Sequence, residues 1–248
     1  MFNISAPQFK SLEWLLASDE RFLCPDDPTL YQRFSLAVLY FSTNGDNWTS
    51  CGAASSASYC EGDNRFLSKV SECDWFGITC DGSGRVGRIN LDENNLSGQL
   101  PDELFYMDGL FELDLDANQL TGSIPVSIGL ATDLLYLDFD ENLLTGEVPE
   151  VLYSLEQLRS IDLDTNKLSG TLSTRLGELS DLYIAQFDTN LFTGPIPTEI
   201  AALPGLAYFT ATENELDPIS ALICEVNTTK LYADCDLCTA TANCCIGC

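Results

Sequence analysis

The sequence predicts an α/β-type solenoid: short repeats stacked in one direction, parallel strands lining a concave face, and a cap closing each end. Three observations carry that prediction. Asparagines recur at Asn94, Asn118, Asn142, Asn166, Asn190 and Asn214, always 24 residues apart. Around them one apolar register repeats, as in Leu110, Leu113, Leu115, Leu120 and Ile124, then Leu134, Leu137, Phe139, Leu144 and Val148. The 11 cysteines avoid this stretch, falling between Cys24 and Cys80 or between Cys224 and Cys248. A fixed period of about 20–50 residues marks a repeat array. A single unit has too little apolar surface to fold alone, so stacking must supply the core.

The copies start at Val86, Leu110, Leu134, Leu158, Leu182 and Leu206, and the array covers residues 86–223. In each copy an alternating apolar segment has strand period, so strands line one face. Buried asparagine amides need partners and are read as structural. Gly98, Gly122, Gly146, Gly170 and Gly194 supply backbone angles that favour glycine. Pro101, Pro125, Pro149 and Pro197 open the convex turn; Ser173 takes that place in the fourth copy, where a local deviation is expected. The pattern LxxLxLxxNxLxGxIP resembles the plant-type leucine-rich repeat. That resemblance implies a right-handed superhelix, an asparagine ladder bonded to neighbouring turns, and ligand contact on the concave face.

Residues 1–85 form the first cap. Ser5-Ala6-Pro7 reads as a helix start, followed by Phe9, Leu12, Trp14, Leu15 and Leu16. A second helix is expected from Asp27-Pro28, carrying Leu30, Phe34, Ala37, Val38 and Phe41 and ending before Gly45. Residues 51–70 read as loop. The segment Cys73-Asp-Trp75-Phe-Gly77-Ile-Thr-Cys80 resembles the N-terminal cap of the same family, which implies a Cys73–Cys80 disulfide ahead of the first repeat. Asp81-Gly82-Ser83-Gly84 is a hairpin turn into Val86. Cys51 and Cys60 make a local staple that leaves Cys24 as the odd thiol, although Cys24 could replace either. Residues 224–248 form a Cys-rich C-terminal cap whose pairing the sequence leaves open. Its two CxxC motifs, Cys235/Cys238 and Cys245/Cys248, lie too close together for a zinc ribbon and leave Cys224 and Cys244 unused.

Charge and cysteine use bound the function. Acids number 38 against 11 bases, a net charge of -27, which disfavours nucleic acid and anionic lipid as partners. The absence of histidine removes the commonest general base and every His-ligated metal. Clustered cysteines and the sequons at Asn3, Asn47, Asn95 and Asn227 fit an extracellular or cell-surface glycoprotein. No apolar run approaches the ~20 residues of a membrane span. The start lacks a secretory leader, so a targeting segment is expected outside this chain. The whole chain is similar to receptor ectodomains and polygalacturonase-inhibitor-like proteins, with an extended flank and tail closer to microalgal members.

The concave face is the candidate binding surface. Its columns read Arg88, Glu112, Tyr136, Ser160, Ile184, Tyr208; then Asn90, Asp114, Asp138, Asp162, Gln186, Thr210; then Asp92, Asp116, Asp140, Asp164, Asp188, Thr212; then Glu93, Ala117, Glu141, Thr165, Thr189, Glu213. Residues two apart on a strand point the same way, and neighbouring strands lie about 4.8 Å apart. Asp114, Asp116, Asp138, Asp140, Asp162 and Asp164 therefore form a lattice whose mutual repulsion raises some pKa values. Three occupants fit: solvent and salt alone, a cationic partner, or calcium, which takes oxygen ligands at about 2.3–2.6 Å. Tyr136 and Tyr208, with Tyr183 at the rim, are candidate anchors for a partner or sugar.

The primary expectation is a non-catalytic module binding a protein, peptide or glycan, with no cofactor beyond that calcium. The alternative is a calcium-bridged structural or adhesion protein that self-associates. Paired carboxylates about 5 Å apart also suit a glycosidase, but these recur in every repeat on an open face without a deep pocket. An ice-binding role needs Thr or Asn columns where this face carries carboxylates.

Overall fold

The computed structural model describes residues 4–53, 60, 64–217 and 230–232. Helix α1 spans Pro7–Ala17, with proline in its first turn, where the missing N–H costs nothing. Helix α2 spans Leu30–Ser42. It starts later than the sequence suggests. Asp27 Oδ1 accepts both the Thr29 N–H and the Thr29 hydroxyl, folding 27–29 into a turn of their own.

The two helices and the loop at 68–72 are joined through Arg33, which is fully buried. All five of its N–H donors find an acceptor. Nε and Nη2 reach the Asp19 carboxylate, both at 2.7 Å. Nη2 also reaches the Ser68 carbonyl, and Nη1 the Val70 carbonyl and Glu72. The guanidinium lies 5.1 Å from the Trp14 ring centroid and 4.7 Å from that of Trp75. Glu72, itself fully buried, also accepts from Arg21 and Gln32. Nothing in the helical pattern singles out Arg33 for burial.

Two disulfides hold the rest of this flank, Cys51–Cys60 and Cys73–Cys80, while Cys24 is unbonded and exposed. Strand β1 (Ile78–Cys80) precedes a turn in which Asp81 Oδ1 accepts the N–H groups of Ser83 and Arg85.

Each repeat then adds two strands. They are β2 (Val86–Asn90) and β3 (Ser97–Gln99), β4 (Glu112–Asp114) and β5 (Gln119–Gly122), β6 (Tyr136–Asp138) and β7 (Leu143–Glu147), β8 (Ser160–Asp162) and β9 (Lys167–Thr171), β10 (Ile184–Gln186) and β11 (Leu191–Gly194), then β12 (Tyr208–Thr210) and β13 (Glu215–Leu216). The first members of each pair build a sheet that β1 joins antiparallel at one edge; from β2 onward it is parallel. The second members build a separate six-stranded sheet. Partners from β2 to β12 are 24 residues apart, as in Glu112, Tyr136, Ser160, Ile184 and Tyr208. Strand β14 (Lys230–Tyr232) pairs parallel with β12 and extends this sheet by one strand that the repeat pattern does not announce. The remaining cysteines of the tail and the sequons at Asn3 and Asn227 lie outside the described residues.

The leucine columns are buried between the two sheets. The asparagines form the ladder that the family resemblance implies. Asn142 Oδ1 accepts the Leu120 N–H of the preceding repeat, and its Nδ2 donates to the carbonyls of Leu115, Phe139 and Asp140. A 3-10 turn closes the convex side of each of the first five repeats. Ser173 does not disturb the fourth: its hydroxyl accepts the Arg175 N–H, and its φ of -71° matches the prolines elsewhere. The glycine at position 98 is required by packing, since a Cβ there would lie 2.1 Å from the Ser42 carbonyl.

Candidate functional site

The acidic columns lie on the open side of the first sheet. Strands β4, β6 and β8 end on Asp114, Asp138 and Asp162, which are in register. Leu113, Leu137 and Ile161 before them are buried, so alternation turns the carboxylates outward. Two residues further come Asp116, Asp140 and Asp164. Their own N–H groups donate back to the first column: Asp116 to Asp114 at 3.4 Å, Asp140 to Asp138 and Asp164 to Asp162 at 3.2 Å.

The next column is not one more outward row. Glu93, Ala117, Glu141, Thr165, Thr189 and Glu213 occupy left-handed backbone, with φ between 44° and 54°. They form the corner where the chain leaves the sheet. Their residue types carry no signal for that conformation. Bonds to the following repeat hold it, such as the Ala117 N–H to the Asp140 carbonyl and the Glu141 N–H to the Asp164 carbonyl.

The aspartates at the ends of the ladder find side-chain donors that those in its middle lack. At one end Asn90 Nδ2 donates to Asp114 at 2.7 Å, while Arg88 Nε stands 3.1 Å from Glu112 as an ion pair without a hydrogen bond. At the other, Asp188 Oδ1 accepts both the N–H and the hydroxyl of Thr212. Between them, Asp116, Asp140 and Asp164 each keep one buried carboxylate oxygen without a hydrogen-bond partner. The reason is the residue 24 positions on: Asp116 and Asp140 meet another aspartate where Asp188 meets a threonine. Carboxylate oxygens of Asp138, Asp140 and Asp162 approach within 4.8 Å of one another, close enough to share a cation.

Burial and these like charges push the acids upward. Burial comes first and neighbouring carboxylates second, raising Asp116 to about 6. Burial likewise takes Asp138 to about 6. Asp140 rises to about 8 through burial and the charges of Asp138, Asp164 and Asp116. Asp162 rises to about 9 through burial and its contact with Asp164. Two ionised carboxylates have only acceptors to offer each other, so this packing calls for a proton or a cation between them.

The other sites are dispersed. Asp92 is exposed at the N-terminal end of the ladder. Tyr136 is exposed and Tyr208 half-buried; they stand on β6 and β12, with β8 and β10 between them, so they do not form one patch. Tyr183 lines a rim recess of about 420 Å³ with Arg159, Asp181 and Pro204. Phe111, exposed in the same column as Tyr183, was not apparent as a surface aromatic from the repeat consensus. Both sequon amides are engaged: Asn47 Nδ2 donates to the Asn44 side-chain oxygen and Asn95 Nδ2 to the Asn47 carbonyl, each at 2.8 Å.

The Leucine Rich Repeat family model matches residues 109–130. The ectodomain of the receptor kinase SOBIR1 from Arabidopsis thaliana is 32% identical, with a TM-score of 0.56, over 60% of this chain and 86% of that one. The chain is a leucine-rich-repeat protein. It is homologous to the ectodomains of plant leucine-rich-repeat receptor kinases. The ectodomain of GASSHO1/SCHENGEN3 from the same plant, in complex with CASPARIAN STRIP INTEGRITY FACTOR 2, is 29% identical with a TM-score of 0.65. That match covers 83% of this leucine-rich-repeat chain but 23% of the other. The Arabidopsis probable inactive receptor kinase RLK902 is 41% identical over 64 residues, which is 25% of this chain and 10% of that protein. The chain therefore spans only a small part of the larger receptors it matches. Among its described residues, no helix is long and apolar enough to cross a membrane.

Proposed function

We propose that this leucine-rich-repeat protein is a non-catalytic recognition module, extracellular or on the cell surface, that binds a protein, peptide or glycan across its concave face. Cationic groups are the preferred contacts. The observation that carries the reading is the row of buried, unpartnered oxygens on Asp116, Asp140 and Asp164, between Asp114 and Asp188, which have donors. Bound lysine or arginine groups would supply the missing donors. The likeness to an ectodomain captured with its partner supports recognition as the role. The repetition of the carboxylates along an open sheet argues against a single catalytic pair. Calorimetric titration with basic and acidic peptides of equal length tests it. Basic peptides should bind, and Asp140→Asn with Asp164→Asn should weaken them at least tenfold. Equal binding of acidic peptides would refute it.

A second reading is a calcium-bridged structural or adhesion protein, favoured by the convergence of Asp138, Asp140 and Asp162. These could give a calcium ion three of its usual six to eight oxygens, with waters or a second molecule supplying the rest. Calcium would then raise the melting temperature and the scattering mass together. An unchanged mass at millimolar calcium removes this reading.

A further inference from the structure

The N-terminal helix pair carries an apolar surface that neither the solenoid core nor the concave face uses. Leu12, Leu15 and Leu16 of α1 face Leu30, Tyr31 and Phe34 of α2 across a groove of about 550 Å³. Leu16 is 79% exposed, and Phe22, in the loop between the helices, is 83% exposed. The core-facing sides of the same helices are already packed, through Trp14 on α1 and Leu36 and Leu39 on α2. Large apolar side chains gathered at the surface mark an interaction site more often than chance exposure.

The rim of the groove is acidic. Helical spacing sets Glu13 beside Leu16 on α1, Asp26 and Asp27 precede α2, and Glu13 and Asp26 are exposed. Asp19, also in the groove wall, offers no free charge, because Arg33 occupies both its oxygens. Nearby bases are engaged elsewhere: Arg21 with Glu72, and Lys10 over the Phe41 ring. This charge selects among occupants. A second copy of a chain with net charge -27 would bring acids against acids. An anionic membrane would be repelled in the same way.

We propose that the α1–α2 groove docks a basic amphipathic helix of a partner protein. Its apolar stripe sits on Leu12, Leu16 and Tyr31, and its Lys or Arg flanks face Glu13, Asp26 and Asp27. Such a helix would lie against α1 and α2 as a third layer and use anchors at i, i+3 or i+4, and i+7. This surface is separate from the concave face, so one chain could hold two partners at once.

Cys24 gives the readout. It is exposed and unbonded, between Leu23 and Pro25 of the groove wall. The full chain, labelled there with an environment-sensitive dye, is titrated with a synthetic amphipathic helix bearing Leu anchors and Lys flanks; the Cys24→Ser chain is the blank. Saturable binding on the order of micromolar is expected. Binding should weaken at least tenfold when Glu replaces Lys in the peptide, and likewise with Leu16→Asp or with Glu13→Lys plus Asp26→Lys. Asp140→Asn on the concave face should leave it unchanged. Binding that survives the groove variants, or that disappears with Asp140→Asn, overturns the proposal. Light scattering that shows a dimer closing the groove overturns it in favour of a second copy, and binding to phosphatidylcholine vesicles overturns it in favour of lipid.

Discussion

Two clusters of buried charge lie in this molecule, and they are handled in opposite ways. Every donor of Arg33 itself has an acceptor, two carboxylates share its guanidinium, and aromatic rings close both sides. Along the concave face, aspartates pack against aspartates and three oxygens have no partner. Burying a charge is costly unless its partners come with it. The first cluster meets that condition internally and therefore serves the fold. The second leaves it unmet, so its balance must come from protons, ions or a ligand. What separates structure from binding surface here is whether the compensation is built in.

Removing Arg33 should have the largest effect. Arg33→Met leaves Asp19 and Glu72 buried without their main partner, and a loss of about 3–5 kcal/mol in urea unfolding is expected. A loss under about 1 kcal/mol would show that the cluster is not a closed unit.

The ladder should respond with the opposite sign. A carboxyl whose folded value lies above 3.8 keeps its proton in the folded state after the unfolded chain has lost it. The folded state then binds more protons, so stability falls as pH rises. For this group the window runs from about 4 up to about 9, where Asp162 finally ionises. The melting temperature should therefore climb as pH is lowered from 9 towards 5. Asp140→Asn should flatten that climb and stabilise the protein at pH 9 by about 1 kcal/mol, a figure already reduced for solvent screening. If the variant is less stable than the parent at pH 9, the aspartates are not repelling one another.

The smallest effect belongs to an exposed pair, Arg85 with Asp81, at 2.8 Å. Arg85→Ala should move the urea-unfolding midpoint less than either variant above, because solvent already screens both groups. A larger change would mean that exposure does not separate decorative from structural charge in this chain.

Much of the candidate site was legible. Period and alternation place Asp114, Asp138 and Asp162 in one column, and the structure puts them in register. Even the donors to the end aspartates were open to reading, since Asn90 and Asp114, like Asp188 and Thr212, stand 24 positions apart. The left-handed corners were not legible, because Glu, Ala and Thr adopt that conformation there only under the pull of the next repeat. Nor was the α1–α2 groove, whose leucines read on the sequence as core.

By itself, the sequence determined the repeat, its register and the membership of each column. Those properties are periodic, and a period needs no knowledge of distant contacts. Only the tertiary structure decided that Arg33 is buried among Asp19, Val70 and Glu72, that Leu16 faces water, and that the middle of the ladder lacks partners. Each of those depends on which residues meet across the fold, and the free energy of a buried charge or an exposed leucine is set by that company.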